Sequence, residues 1–309
     1  MNKSKFLSLL IVGLLLVCPA FAQISMERVD EGILFTDGKK KIAFYVKEAP
    51  AMNLDKGRTN YFHPVYLPDE TVLTENSPED HIHHRGIFWA WHQILIEGES
   101  IADQWELKDF IHDVRSVEFV RPSPDLGTLK TRVEWKSPNY REGATAFVEE
   151  STKVHFHQQS KNYRIIQFEI QLKALTDGVA LGGSDDVKGY GGFSTRIKLP
   201  EDVTFSSENG AVQPQKEAVE AGKLMHIKGS MAKNGGQGGM LIYSENDFET
   251  AQSWILRSQN SMQNAVWPGR IPVSISTINP TVLRYAVVLY SGKINEGRVL
   301  KALQKLQWN

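Results

Sequence analysis

Between Arg164 and Leu172 the chain alternates without a break. Ile166, Phe168, Ile170 and Leu172 fall on one face, and Gln167, Glu169 and Gln171 fall on the other. A period of two marks an extended strand covered on one side, which belongs to an antiparallel sheet rather than a doubly covered parallel one. The same reading runs along the chain. Residues 32–36 are apolar, Asp37-Gly38-Lys39 is a turn signal, and 41–47 read as the return strand of a hairpin. Further strands are predicted at 115–120, 129–135, 146–158, 164–172, 195–199, 239–243, 271–278 and 281–290. Only the carboxyl end changes period. Val299, Leu300, Leu303 and Leu306 recur at helical spacing between 295 and 307, which predicts one short helix against the sheet. Gly- and Asn-rich pieces at 181–192 and 234–239 read as loops, and no linker, repeat or charge block divides the chain. The expected architecture is mainly β: one large antiparallel β-sandwich over residues 23–309 with a short C-terminal helix.

Residues 1–22 stand outside that pattern. Lys3 and Lys5 precede an apolar run from Phe6 to Val17, and Ala20-Phe21-Ala22 is a small-x-small motif. That order is a signal peptide with cleavage before Gln23. The run is shorter than the ~20 residues of a comfortable membrane span. Cleavage removes Lys3, Lys5 and Cys18, the only cysteine. The mature chain is then expected in the periplasm or outside the cell, with neither disulfide nor thiol chemistry, and its large core replaces the staple. A formal net charge of -1 over the whole chain argues against a nucleic-acid binder. No later stretch is apolar enough to span a membrane as a helix.

The densest chemistry is Asp80-His81-Ile82-His83-His84-Arg85-Gly86, followed by Trp89 and Trp91-His92. On an extended segment His81 and His83 share a face and His84 points away. Imidazole ligates metals or acts as acid or base near neutral pH, so both readings stay open. Arg85 suits bidentate binding of a carboxylate or a developing anion. The block is not a zincin helix, since His-Glu-x-x-His is absent. His63 lies upstream in Tyr61-Phe62-His63-Pro64-Val65-Tyr66 and either converges with the block or serves a turn. His155 and His157 share one face of a predicted strand, as ligands, bases or a plain polar face. Glu169, on the polar face of the next strand, is a candidate carboxylate. Gly189-Tyr190-Gly191-Gly192-Phe193 lacks the ending of a phosphate loop. It can instead bring backbone close to a ligand, with Tyr190 stacking and Arg196 pairing. Trp267 and Arg270 sit in a loop that can meet a sugar, whose apolar face stacks on indole rings.

Tyr61-Phe62-His63-Pro64, Pro68-Asp69, the 80–86 block with its following Trp, and Tyr190-Gly191-Gly192-Phe193 with Arg196 resemble a bacterial family of unknown function labelled "methane oxygenase PmoA-like". The resemblance covers nearly all of 28–305, and the histidine block is its most specific part. It implies exported proteins of polysaccharide-degrading bacteria and a supersandwich similar to galactose mutarotase. In that enzyme class one His protonates the ring oxygen and a carboxylate takes the anomeric proton. The resemblance would make His81 or His83 the acid and Glu169 the base. The oxygenase subunit behind the label is a multi-span membrane protein, whereas no spanning helix is expected here after residue 22.

The leading expectation is an exported carbohydrate-active enzyme, a hydrolase, lyase or epimerase, acting on a small-molecule or polysaccharide substrate. His63, His81, His83, His84, Arg85 and Arg196 are its candidate catalytic residues, and Trp89, Tyr190, Trp267 and Glu169 its candidate substrate contacts. No metal ligand set and no cofactor is assigned. A non-catalytic carbohydrate-binding protein is the rival, and a copper or iron oxygenase is the third reading.

Overall fold

The computed structural model describes residues 23–49, 57–248, 251–259 and 261–308, so the expected leader lies outside the described residues. The chain opens with β1 (Ile24–Val29), β2 (Gly32–Asp37), β3 (Lys40–Val46), β4 (Tyr61–Val65) and β5 (Ile87–Trp91). A small hairpin, β6 (Gln93–Ile96) and β7 (Glu99–Ala102), leads to β8 (Ile111–Ser123), β9 (Leu126–Lys136), β10 (Val148–His157) and β11 (Tyr163–Ala174). Next come β12 (Val179–Gly182), β13 (Gly191–Arg196), β14 (Thr204–Ser207), β15 (Gly210–Val212), β16 (Val219–Glu220) and β17 (Leu224–Ala232). The last strands are β18 (Gly236–Ser244), β19 (Ser253–Ile255), β20 (Met262–Val266), β21 (Val273–Ser274) and β22 (Thr281–Ser291), followed by helix α1 (Glu296–Leu303).

Among the described residues these strands form two nine-stranded sheets and one of four. The first sheet runs β1-β2-β3-β4-β5-β13-β20-β19-β16, and the second runs β15-β14-β17-β18-β22-β11-β10-β9-β8. The third, β21-β12-β6-β7, is small. The long alternating strand at 164–172 is the centre of β11, paired antiparallel with β10 and β22. Its apolar residues face the first sheet, and aromatic rings join the two layers. Phe168 of β11 meets Phe62 of β4 at 5.5 Å and Phe193 of β13 at 5.1 Å, and Phe193 stacks on Tyr285 of β22 at 4.6 Å. Burying one such ring stabilises the fold by about 1.5–3 kcal/mol, so the layer contact is the main adhesive of the sandwich. Helix α1 covers Val288, Ala286 and Tyr290 on the outer face of the second sheet with Val299 and Leu303. Asn295 caps it, its side chain accepting from the Arg298 backbone N–H at 2.9 Å.

Two expected strands differ from what is found. The 195–199 strand is displaced to β13, because Gly191–Arg196 pairs with β5 and β20. The 271–278 strand shrinks to β21, two residues at the edge of the small sheet. Pro272 removes a ladder donor there, and Ile271 and Ile278 stay exposed. Among the described residues no helix is long and apolar enough to cross a membrane.

The central strands of the first sheet are buried on both faces. All five residues of β5 and all six of β13 are buried. Trp89 and Trp91 enter the inter-sheet core, while Phe88 and Ala90 join a second apolar cluster on the outer face with Tyr61, Trp105 and Met262. Gly86 sets the close approach of β5 to β4, since a Cβ there would lie 2.1 Å from the Phe62 carbonyl oxygen. One carboxyl interrupts the apolar interior. Glu150 of β10 is fully buried and accepts from Asn60 Nδ2 at 2.7 Å, Trp135 Nε1 at 3.0 Å and Thr152 Oγ1 at 3.0 Å. Burial pushes its carboxyl up, and these donors oppose that shift. Replacing Glu150 by Gln keeps the volume but turns one acceptor oxygen into an NH₂ facing donors. Glu150→Gln should destabilise by about 1–3 kcal/mol, read from the chemical-denaturation midpoint. An unmoved midpoint would show that these donors do not hold the carboxyl in place.

Candidate active site

The site is built from what covers the outer face of the first sheet. Arg196, at the end of β13, is buried there with a side chain only 2% exposed. Its Nε donates to Glu75 Oε2 at 2.8 Å, and its Nη2 donates to both oxygens of Asp80 at 3.0 and 3.1 Å. A buried guanidinium demands such partners, because an unpaired charge out of water is costly. The pairing folds residues 75–86 onto the sheet as a compact double turn. Within it the His81 N–H donates to the Pro78 carbonyl, the His84 N–H to the His81 carbonyl, and the Ser77 N–H to the His84 carbonyl. Arg85 donates to the carbonyls of Ile82 and His84 and lies over the Tyr61 ring.

The turn changes the expected arrangement of the histidines. An extended segment would send His84 away from its neighbours. Here His84 lies parallel to His81, centroids 4.5 Å apart and planes 5° off, and edge-on to His83 at 4.5 Å. His81 Nδ1 lies 2.9 Å from Asp80 Oδ2. A carboxylate only accepts, so Nδ1 carries a proton. His84 differs. Arg196 Nη1 donates toward its Nδ1 at 3.4 Å, and burial pushes it down to about 2, with His83 and His81 adding to the shift. It is a neutral ring in the wall.

A second group comes from the β6–β7 hairpin. Its turn at Glu97-Gly98 sets the residues flanking the two strands opposite each other, which brings His92 Nδ1 to 2.9 Å from Asp103 Oδ2. Asp103 also accepts the Glu106 N–H at 2.9 Å, and Glu106 Oε2 lies 3.4 Å from His83 Nδ1. Trp105 stacks on His92 at 5.3 Å and leans on Tyr190 at 5.5 Å. Beneath them Arg58, 1% exposed, donates to the carbonyls of Gln104 at 2.7 Å and Trp105 at 3.1 Å. Burial pushes its guanidinium down to about 9, and Arg85 adds to that. Arg58 thereby fixes the segment that carries Asp103 and Glu106.

These elements enclose a cavity of about 300 Å³ walled by His81, His83, His84, His92, Trp105 and Glu106. Asp186, Lys188 and Tyr190 close its other side. The loop that supplies them is tied by Asp186 Oδ1, which accepts the N–H groups of Lys188 and Gly189. Gly189 has φ +63°, and a Cβ there would sit 2.8 Å from the Arg270 nitrogen.

Of the residues singled out in the sequence, His81, His83, His84 and Tyr190 meet in this cavity. Arg85 and Arg196 stand behind it. Arg196 was expected to pair with a ligand, but its Nε, Nη1 and Nη2 already face Glu75, His84 and Asp80. His63 lies on β4 with Nδ1 2.9 Å from Thr74 Oγ1 and does not line the cavity. Trp89 lies between the sheets against Phe168 at 6.4 Å, so its ring offers no platform at the cavity. Glu169 is also elsewhere. It projects from the outer face of the second sheet, where Arg284 donates to it at 2.9 Å and Gln171 at 3.0 Å. The base role implied for it by the mutarotase resemblance has no geometry here. His155 and His157 make cross-strand contacts to Thr128 and Gln167 on that sheet. Trp267 lies in a neighbouring depression. His92 with Asp103, Glu106, Arg58 and Lys188 were not foreseen. Glu97-Gly98 between two short apolar runs was the signal that would have paired His92 with Asp103.

Among the described residues, no three His, Cys, Asp or Glu side chains are grouped to hold a metal ion. Ring geometry gives one reason. An imidazole ligates in its own plane, and no point lies in the planes of both His81 and His84 when they are stacked face to face.

Residues 33–304 match the model of a family described as "Family of unknown function (DUF6807)". No curated protein matches the chain.

The neutral histidines carry a pH signature. Burial holds His84 down at about 2 and His63 at about 4, whereas an unfolded His takes its proton near pH 6.5. Above pH 6.5 the stabilisation is complete. As the pH falls below it, the unfolded chain binds protons that the folded chain refuses, and stability is lost. The unfolding midpoint should therefore drop between pH 7 and pH 4. The ring-proton NMR signals of His84, assigned with His84→Gln, should stay still over that range, and a His84 titration near pH 6 would contradict the assignment.

Proposed function

The chain belongs to that family of unknown function, and we propose that it is an exported carbohydrate-active enzyme, a hydrolase, lyase or epimerase, working at the histidine cavity. The observation that carries this reading is the His92–Asp103 pair opening onto a cavity with three further imidazoles. Asp103 fixes the His92 tautomer and leaves Nε2 to accept a proton, which is the role a carboxylate plays behind a catalytic base. His81 is set the same way by Asp80, and Glu106 stands by His83. Two oriented imidazoles on one cavity can divide the work. One takes a proton from a sugar hydroxyl, a ring carbon or water, and the other returns a proton to the departing or ring oxygen. Trp105 and Tyr190 offer apolar faces to a sugar ring, and Lys188, Asp186 and Glu106 offer partners to its hydroxyls. The volume is at the small end for ligand cavities, about 300–1,000 Å³, which suits one sugar unit.

Three further supports come from the sequence. The leader-like residues 1–22 favour export. The PmoA-like resemblance implies proteins of polysaccharide-degrading bacteria, which favours a sugar substrate. A sandwich of the galactose-mutarotase type is a scaffold for chemistry at an anomeric centre. In this reading His92, and not Glu169, takes the proton.

The test is a panel of mono- and oligosaccharides and glycosides followed by proton NMR of anomeric and alkene signals, which reports hydrolysis, elimination and epimerisation alike. His92→Gln and Asp103→Asn should each lower kcat by about 10²–10⁴-fold on whichever sugar is turned over, with the thermal midpoint little changed for Asp103→Asn. Turnover within threefold of the parent in both variants would remove the dyad from the chemistry. Sugar binding without any turnover would leave a carbohydrate-binding protein in place of an enzyme.

A further inference from the structure

Trp267 borders a second cavity, of about 570 Å³, and Lys188 lines both this cavity and the histidine cavity. The two hollows are neighbours across one side chain. The floor of the second is aromatic. Trp267 and Phe248 lie nearly parallel, 24° apart with centroids at 6.1 Å, and both are half-buried. Its rim is charged, with Arg270 paired to Asp185 at 2.8 Å and Asp247 paired to Lys223 at 2.7 Å.

The Trp267 side of the second hollow is tied in place. Trp91 Nε1 donates to the Trp267 carbonyl at 2.8 Å, and the Trp267 N–H donates to the Gly191 carbonyl at 3.0 Å. Gln93 Nε2 donates to the carbonyls of Gly183 at 2.7 Å and Arg270 at 2.8 Å, tying the start of the 183–190 loop to the Trp267 loop. The Gly183 N–H completes the tie at the Gly269 carbonyl, 2.7 Å away. Holding the platform rigid before binding saves the cost of ordering it later.

Resting on the carbohydrate reading of the histidine cavity, we propose that the Trp267 hollow is a second sugar subsite, so that the substrate has at least two linked sugar units and spans Lys188. The chemistry of the walls selects this occupant. A sugar ring carries an apolar C–H face and an equatorial belt of hydroxyls, which match an aromatic floor with a charged rim. A lipid tail would leave the rim charges facing hydrocarbon, and a lone anion would gain nothing from Trp267. The unit in the histidine cavity reacts, and the unit on Trp267 contributes binding energy that positions it.

The experiment uses the mature full-length protein on an array of defined mono-, di- and trisaccharides, with methyl glycosides of the same terminal units as soluble competitors. The readout is the ratio of disaccharide to monosaccharide affinity. Wild type should favour the disaccharide, and the ratio should fall about tenfold or more in Trp267→Ala and in Phe248→Ala, with circular dichroism unchanged in at least one of the two. Binding of both sugars with a ratio that neither folded variant moves overturns the subsite while leaving the histidine-cavity reading intact. An array on which wild type binds no sugar overturns that reading and this inference with it.

Discussion

One buried cation organises the candidate site. Arg196 sits on the outer face of a sheet that is covered on both sides, where water cannot solvate it. Its charge has to be met from the protein, and Glu75 and Asp80 meet it. Both lie on the 75–86 segment, so neutralising Arg196 and closing that segment over the sheet are one event. Removing either carboxylate would leave the buried guanidinium short of a partner, which decides whether the turn is held down. His81 takes its orientation from Asp80 and stacks on His84, which receives Arg196 Nη1. The histidine geometry is thus a consequence of electrostatics one layer beneath it. A second buried cation, Arg58, does the same for the 103–106 segment through two backbone carbonyls.

The architecture was legible wherever one face of a strand is apolar and the other polar. Residues 164–172 alternate because β11 turns apolar side chains to the sheet interface and hydrogen-bonded polar side chains such as Gln167 and Glu169 to the outer face, and period two reports that difference although 164–170 are buried on both faces. β5 defeats the same reading. Ile87-Phe88-Trp89-Ala90-Trp91 is apolar throughout, since the first sheet is covered on both faces, and a run without contrast carries no phase. Trp89 was expected at a ligand for this reason. Nothing in the sequence tells the inward-facing tryptophan from a solvent-facing one once its neighbours are all apolar.

The site was legible in its residue types and not in its partners. Three histidines in four positions announce chemistry, but their mutual placement depends on a turn closed by Arg196, which is 112 positions away from His84. Glu169 failed in the opposite way. Its polar face was read correctly, but polar faces exist on the far side of each sheet, and period two does not say which side holds the cavity. The His92–Asp103 pair is nearer to legible, since a two-residue hairpin turn makes residues eleven apart into neighbours. Local turn chemistry can be read along a chain, whereas the closing of a buried ion pair cannot.

The same distinction separates the histidines by use. His84 in the cavity wall and His63 on β4 are desolvated and held neutral by burial and nearby cations, so neither takes up a second proton. His81 and His92 each place one nitrogen on a carboxylate, and both rings line the cavity. A ring of the first kind gives shape, because its ionisation is suppressed. A ring of the second kind has its orientation set by the carboxylate at Nδ1, which is what the proposed proton transfer to a bound molecule requires. Placing the two kinds in contact, with His81 stacked on His84, lets one imidazole act as a fixed surface for the next. That difference follows from burial and carboxylate placement alone, and it is the physical basis of the acid–base chemistry proposed for this cavity.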